Sequence, residues 1–263
     1  MLRLLPVLVL LLFLSACATV EDEDPTAGQT AAEIYHDAHE YLNDGEYESA
    51  IQYFQRLESR FPYGPYAEQA QLEIAYTYYK SQEYESSILA AERFIKLHPD
   101  HRSVDYAYYL RGLARYDGEQ SFMSRWFNQD LTERDPRSMR EAFHYFSELV
   151  RRFPDSRYDR DAIQRMRQLR EGLAKYELHV ANYYIRRSAF VAAAKRAQYV
   201  VKNYQGTLAV PEALAIMVKS YSELGLPKLA QDSKRVLKMN YPEYQEQATR
   251  KTGGWLSYFD WMK

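Results

Sequence analysis

One cysteine, Cys17, stands in 263 residues, so no disulfide can brace this chain internally. A net charge of −2 leaves no electrostatic mandate for nucleic acid. After the first fourteen residues no apolar run of membrane-spanning length recurs. No G-x-S-x-G, G-x-G-x-x-G or Walker pattern occurs, which removes the usual cradles for a nucleophilic serine, a dinucleotide or a triphosphate.

Metal and acid–base chemistry are equally thin. His36 and His39 lie three apart and can share a helix face, but no third and fourth ligand follow at fixed spacing. His98 takes an aromatic packing position before Pro99, and His144 and His179 stand alone. Carboxylates are plentiful, yet no pair of them is singled out by an apolar setting. The chain reads as a non-enzyme with no metal and no soluble cofactor.

What is there begins with Met1 to Leu14, one basic residue (Arg3) and then an apolar stretch, too short to span a bilayer and sized for a secretory leader. Leu14-Ser15-Ala16-Cys17 resembles the lipobox of bacterial lipoproteins; an ordinary signal peptide is the alternative. On that resemblance residues 1–16 are a signal peptide. Cys17 takes an S-diacylglycerol and an N-acyl chain, and each buried methylene adds about 0.8 kcal/mol of membrane affinity. Ala18, where aspartate favours inner-membrane retention, points to the outer membrane. Residues 17–30, with Glu21 to Asp24, read as a flexible acidic linker.

A repeat then emerges. Ala50, Phe54, Leu57 and Phe61-Pro62 recur as Ser87, Ala91, Phe94 and His98-Pro99, shifted by 37 residues. Ala142, Phe146, Leu149 and Phe153-Pro154 form a third copy. Ala193, Ala197, Val200 and Tyr204 form a fourth, and Ala230, Leu237 and Tyr241-Pro242 a fifth. Nine residues after four of the closing positions stands an alanine: Ala70, Ala107, Ala162 and Ala213. A small residue there lets neighbouring helices approach, and proline ends the second helix in every copy but the fourth, where Gln205 stands in its place. The pattern matches tetratricopeptide repeats, whose period is about 34 residues. The expected fold is all-α: a tetratricopeptide-repeat superhelical solenoid of five helix pairs with a lipid-anchored N-terminus.

The closing positions step by 37, 55, 51 and 37 residues, so two units carry extra length. In the third, a first helix over about 103–116 should give way at Asp117-Gly118 to an excursion over 117–136 bearing Phe122, Met123, Trp126 and Phe127. The second helix should cover 137–152. In the fourth, only Gly172 interrupts residues 156–184, which predicts an over-long first helix. The domains are therefore repeats 1–3 over 31–154, repeats 4–5 over 155–242, and a C-terminal tail or cap over 243–263 that carries Trp255, Phe259 and Trp261. Twenty-five tyrosines suit half-buried interhelix or groove surfaces. Charge also has a direction: residues 21–60 hold eleven acidic and two basic side chains, residues 186–251 five acidic and twelve basic.

Phe61-Pro62-Tyr63-Gly64-Pro65-Tyr66 and Leu173-Ala174-Lys175-Tyr176-Glu177, with residues 74–80, 93–99, 134–136 and 187–190, resemble the BamD (ComL) family of outer-membrane β-barrel assembly lipoproteins over essentially the whole mature chain. The resemblance implies a periplasmic scaffold lipid-anchored to the outer membrane. Its C-terminal repeats would dock on the POTRA domain of BamA and on other BAM lipoproteins. Its N-terminal repeats would offer a groove to segments of unfolded outer-membrane proteins. Arg196 matches an arginine of the BamA-facing surface, with Arg187 a weaker neighbour. For the groove, Tyr63, Tyr66, Tyr76 and Tyr79 flank the Gly64-Pro65 turn. A lipid-anchored scaffold for cell-wall or other envelope enzymes is the alternative function; the only membrane contact in either case is through the anchor.

Overall fold

The computed structural model describes residues 24–126 and 136–244. Among them the chain forms ten helices: α1 (Ala31–Asp44), α2 (Tyr47–Arg60), α3 (Pro65–Lys80), α4 (Tyr84–Leu97), α5 (Val104–Trp126), α6 (Arg137–Arg152), α7 (Asp159–Arg186), α8 (Phe190–Asn203), α9 (Val210–Glu223) and α10 (Pro227–Asn240). They form five antiparallel pairs of tetratricopeptide type, α1/α2 to α9/α10. The chain divides into two compact units, Met1–Glu73 and Ile74–Lys263.

The turn inside a pair is built one way in four of the five repeats. Gly45, Gln82, Ser188 and Gly225 sit at φ +81°, +65°, +56° and +68°. The amide one residue later reaches back to a carbonyl of the first helix: Glu46 to Tyr41, Glu83 to Tyr78, Ala189 to Tyr184 and Leu226 to Tyr221, at 2.8–2.9 Å. This satisfies carbonyls that every helix end leaves orphaned. The second helices also close alike. Phe61, His98, Phe153, Tyr204 and Tyr241 leave helical geometry at ψ between 40° and 70°. Proline follows four of these residues and pushes them out of the α region. Tyr204, followed by Gln205, has the smallest ψ, 40°.

In the first unit, α1 opens on a capping box: Thr30 Oγ1 accepts from the Glu33 amide, and Glu33 Oε2 accepts from the Thr30 amide at 2.7 Å. Ile34, Ala38, Ala50, Phe54 and Leu57 are fully buried. The acidic linker ends earlier than its composition suggests. Asp24 Oδ1 accepts from the Thr26 amide at 3.0 Å and from its hydroxyl at 2.7 Å. Thr26 is fully buried, Arg56 meets Asp24 at 3.3 Å, and Arg60 donates to Thr26 O and Oγ1. Residues 24–30 therefore belong to the folded unit, and the Asp24 carboxylate serves α2's arginines, not solvent alone.

In the second unit one apolar cluster runs from α5 to α9, through Tyr108, Phe146, Leu149, Leu173, Ala197, Val200 and Ile216. Burying the larger of these side chains contributes about 1.5–3 kcal/mol each. Helix α7 is the over-long first helix expected of the fourth repeat. The third repeat differs from expectation: Asp117-Gly118 does not stop the helix, and α5 runs on to Trp126. Gly118 is tolerated because the Tyr84 ring takes the space of its missing side chain; a Cβ there would stand 3.2 Å from Tyr84. Of the expected excursion only 127–135 lies outside the described residues, as do Cys17 and the tail from residue 245 on.

Candidate functional site

The α7 face turned to the core carries Leu169, Leu173, Ala174, Glu177, Leu178 and Ala181, all buried. One of the six is a carboxylate, and Glu177 is 1% exposed. An ionised group so placed costs several kcal/mol unless it is paired and hydrogen-bonded. Arg196 of α8 supplies the main partner, with Nη1 donating to Glu177 Oε2 at 2.9 Å. Arg140 of α6 supplies the second, with Nη2 at 3.6 Å from Oε1. The Glu177 hydrogen bond raises the Arg196 pKa further, so its charge is permanent. Three helices of two successive repeats are thus tied through one buried carboxylate.

Both arginine side chains stay about half exposed, Arg196 at 45% and Arg140 at 49%. Arg196, expected to face a partner, has a half-exposed side chain that is also held from inside by Glu177. Along the same helix α8 exposes Val191 and Tyr199. Arg187 ends α7, exposed, with its guanidinium 5.8 Å from the centre of the Tyr183 ring.

The four groove tyrosines fall into two sets. Tyr63 is almost wholly exposed, beside Gly64 at φ +102°, a conformation that favours glycine. Tyr66 is exposed on one side and lies 5.6 Å from Tyr35, which in turn packs on His39 and Phe54. Those residues belong to the first unit. In the second unit Tyr76 and Tyr79 are half-buried, packed against Ala75, Ala91 and Leu110. Tyr79 Oη donates to Asp117. Asp117 lies 3.8 Å from Arg165, whose Nε donates to Asp161 at 2.6 Å. Asp161 accepts from Tyr109 at 2.6 Å. Burial and the Asp161 carboxylate push the Tyr109 phenol up to about 12. Polar groups of α3, α5 and α7, the first helices of three repeats, are thereby joined in one chain.

Sequence reasoning missed Glu177, Arg140 and that polar chain. For Glu177 a signal existed: it falls on the apolar stripe of α7, where a carboxylate demands a cation. No comparable signal marks Arg140, which is one arginine among many on an exposed helix face.

The family model described as YfiO, outer membrane lipoprotein, matches residues 27–236. A relative from Neisseria meningitidis serogroup A, an outer membrane protein assembly factor BamD, is 45% identical over 236 residues, 88% of each chain. The protein of that name from Vibrio cholerae is 36% identical over 89% of this chain and 96% of its own. The one from Xylella fastidiosa strain 9a5c is 35% identical over 88% and 79%. Among solved structures, a thermophilic tetratricopeptide protein of Thermus thermophilus aligns with 81% of this chain and 93% of its own at 14% identity and TM-score 0.36. The type IV pilus biogenesis factor PilW aligns with 84% and 97% at 15% identity and TM-score 0.34.

Proposed function

The chain belongs to the BamD family of outer-membrane protein assembly lipoproteins, and from that premise we propose how its parts divide the work. It is a non-enzymatic periplasmic scaffold of outer-membrane protein assembly, lipid-anchored at the outer membrane. The identity to the Neisseria protein across nearly the whole chain carries this reading.

The anchor is an S-diacylglycerol and N-acyl group on Cys17. Repeats 4–5, over 155–242, dock on the POTRA domain of BamA through Arg196, with Arg187 beside it; accessory BAM lipoproteins use the same half. The half-exposed Arg196 side chain supports this, since a planar guanidinium fork pairs bidentately with a carboxylate. Tyr63, Tyr66, Tyr76 and Tyr79 receive extended segments of unfolded outer-membrane proteins. The exposure of Tyr63 and Tyr66 supports that part for the first unit.

Detergent-solubilised membranes test the reading. Pulling on the wild-type chain should bring BamA in stoichiometric amount, and Arg196→Glu should weaken that association with helicity unchanged. Envelope or cell-wall enzymes in place of BamA would favour the alternative scaffold. Cys17→Ser should abolish labelling with palmitate.

A further inference from the structure

Resting on that reading, we infer that Glu177 is a positioning residue for the docking cation and that Arg140 is its second half: Arg140, Glu177 and Arg196 together form a built receptor for one acidic side chain of a protein partner. Charge supports it first. Two guanidinium groups and one carboxylate leave a surplus of one positive charge, which a single incoming carboxylate neutralises. Geometry supports it next. Glu177 engages Arg196 through Nη1 at 2.9 Å and Arg140 through Nη2 at 3.6 Å, one oxygen for each. Each guanidinium carries five N–H donors, so most of its donors remain for a partner, and half of each side chain is open to water.

Burial decides between positioning and competition. Glu177 is 2% exposed at its side chain. Were Arg196 to swing away toward a partner, that carboxylate would keep only the longer Arg140 contact, inside an apolar stripe. The partner must therefore come to Arg196 where Glu177 holds it. A pre-oriented fork also loses less side-chain entropy on binding than a free one. Exposed Tyr199, three residues on along the same helix face, gives the acidic side chain an apolar border.

The full-length acylated protein, purified in detergent, is titrated with BamA from the same cells. Glu177→Gln keeps the shape and removes the charge. The expected result is about tenfold weaker binding, the weight of one charge-assisted hydrogen bond. In an Arg196→Gln background the same change should add nothing further. Arg140→Gln, which leaves the closer Glu177 pair intact, should weaken binding severalfold and flatten its salt dependence. Unchanged affinity in Glu177→Gln, or tighter binding, overturns the inference, the latter by showing that Glu177 competes for Arg196. Should Glu177→Gln lose helicity, Arg140→Gln decides alone, and wild-type affinity there overturns the receptor. Failure of the wild-type chain to bind BamA at all removes the parent reading and this inference with it.

Discussion

Gly112 of α5 lies against the ring of Phe146 on α6 so closely that a Cβ at Gly112 would stand 2.6 Å from a ring carbon. Phe146 is fully buried at the centre of the second unit. Gly112→Ala forces that ring or one of the helices to move, and overpacking of this kind costs about 1–3 kcal/mol. Thermal unfolding followed by circular dichroism should show a lowered midpoint. Phe146→Leu in the same chain should recover part of the loss, because it removes the ring that the methyl meets.

Gln82 holds the left-handed position that Gly45 and Gly225 hold in sister repeats. A residue with a Cβ is strained there by about 1–2 kcal/mol, while glycine gives part of that back through its unfolded-state entropy. Gln82→Gly should therefore raise stability by up to about 1 kcal/mol. Equilibrium unfolding in urea, with an unchanged slope and a higher midpoint, is the expected observation. A lower midpoint would mean that the Gln82 side chain contributes more than its backbone costs.

Arg111 is a buried cation of the second unit, 10% exposed at its side chain. It donates to Glu148 at 2.5 Å, reaches Glu92 at 3.4 Å and lies 4.1 Å from the Tyr145 ring centre. These contacts tie α5 to both α4 and α6. Arg111→Met leaves Glu148 mostly buried with only weaker partners at 4.0 Å, His144 and Arg152. Breaking a buried pair from one side costs about 3 kcal/mol. The double variant Arg111→Met/Glu148→Leu should be less destabilised than Arg111→Met alone. Additive losses on a denaturant curve would refute the pairing as the source.

What the sequence reveals and what it hides follow from the distance over which each feature acts. Ala70, Ala107, Ala162 and Ala213 are all fully buried. They are legible because helix approach demands a small residue at one register in every repeat. The length of α7 is legible because nothing within it breaks a helix except Gly172. The continuation of α5 is not, because Gly118 reads as a breaker until Tyr84 of another helix is seen packed on it. Asp24 and Thr26 read as linker because their partners Arg56 and Arg60 belong to a different helix. The proposed docking site divides the same way. Arg196 is recognisable from its surrounding motif. Its tie to Glu177 and Arg140 depends on helix packing that no local spacing encodes.

The Asp24 turn makes folding of the first unit sensitive to acid. Hydrogen bonds from the Thr26 hydroxyl and amide, aided by Arg56 and Arg60, hold the Asp24 carboxyl below the ordinary 3.8. A carboxylate depressed in the folded state binds protons less readily than in the unfolded chain. Its contribution is complete above 3.8 and is lost as pH falls through the lower folded value. Glu73 acts in the opposite sense, because burial raises its pKa. Glu33, held low by hydrogen bonds from the Thr30 amide and hydroxyl, acts in the same sense as Asp24, so the wild-type curve mixes all three and the difference from Asp24→Asn isolates one. At neutral pH Asp24→Asn should melt below wild type, since an amide keeps the Thr26 contacts only in part and loses both arginines. As pH is lowered well past 3.8 the two melting points should converge. A gap that stays constant from neutral to acid pH would assign the effect to shape, not to the charge of Asp24.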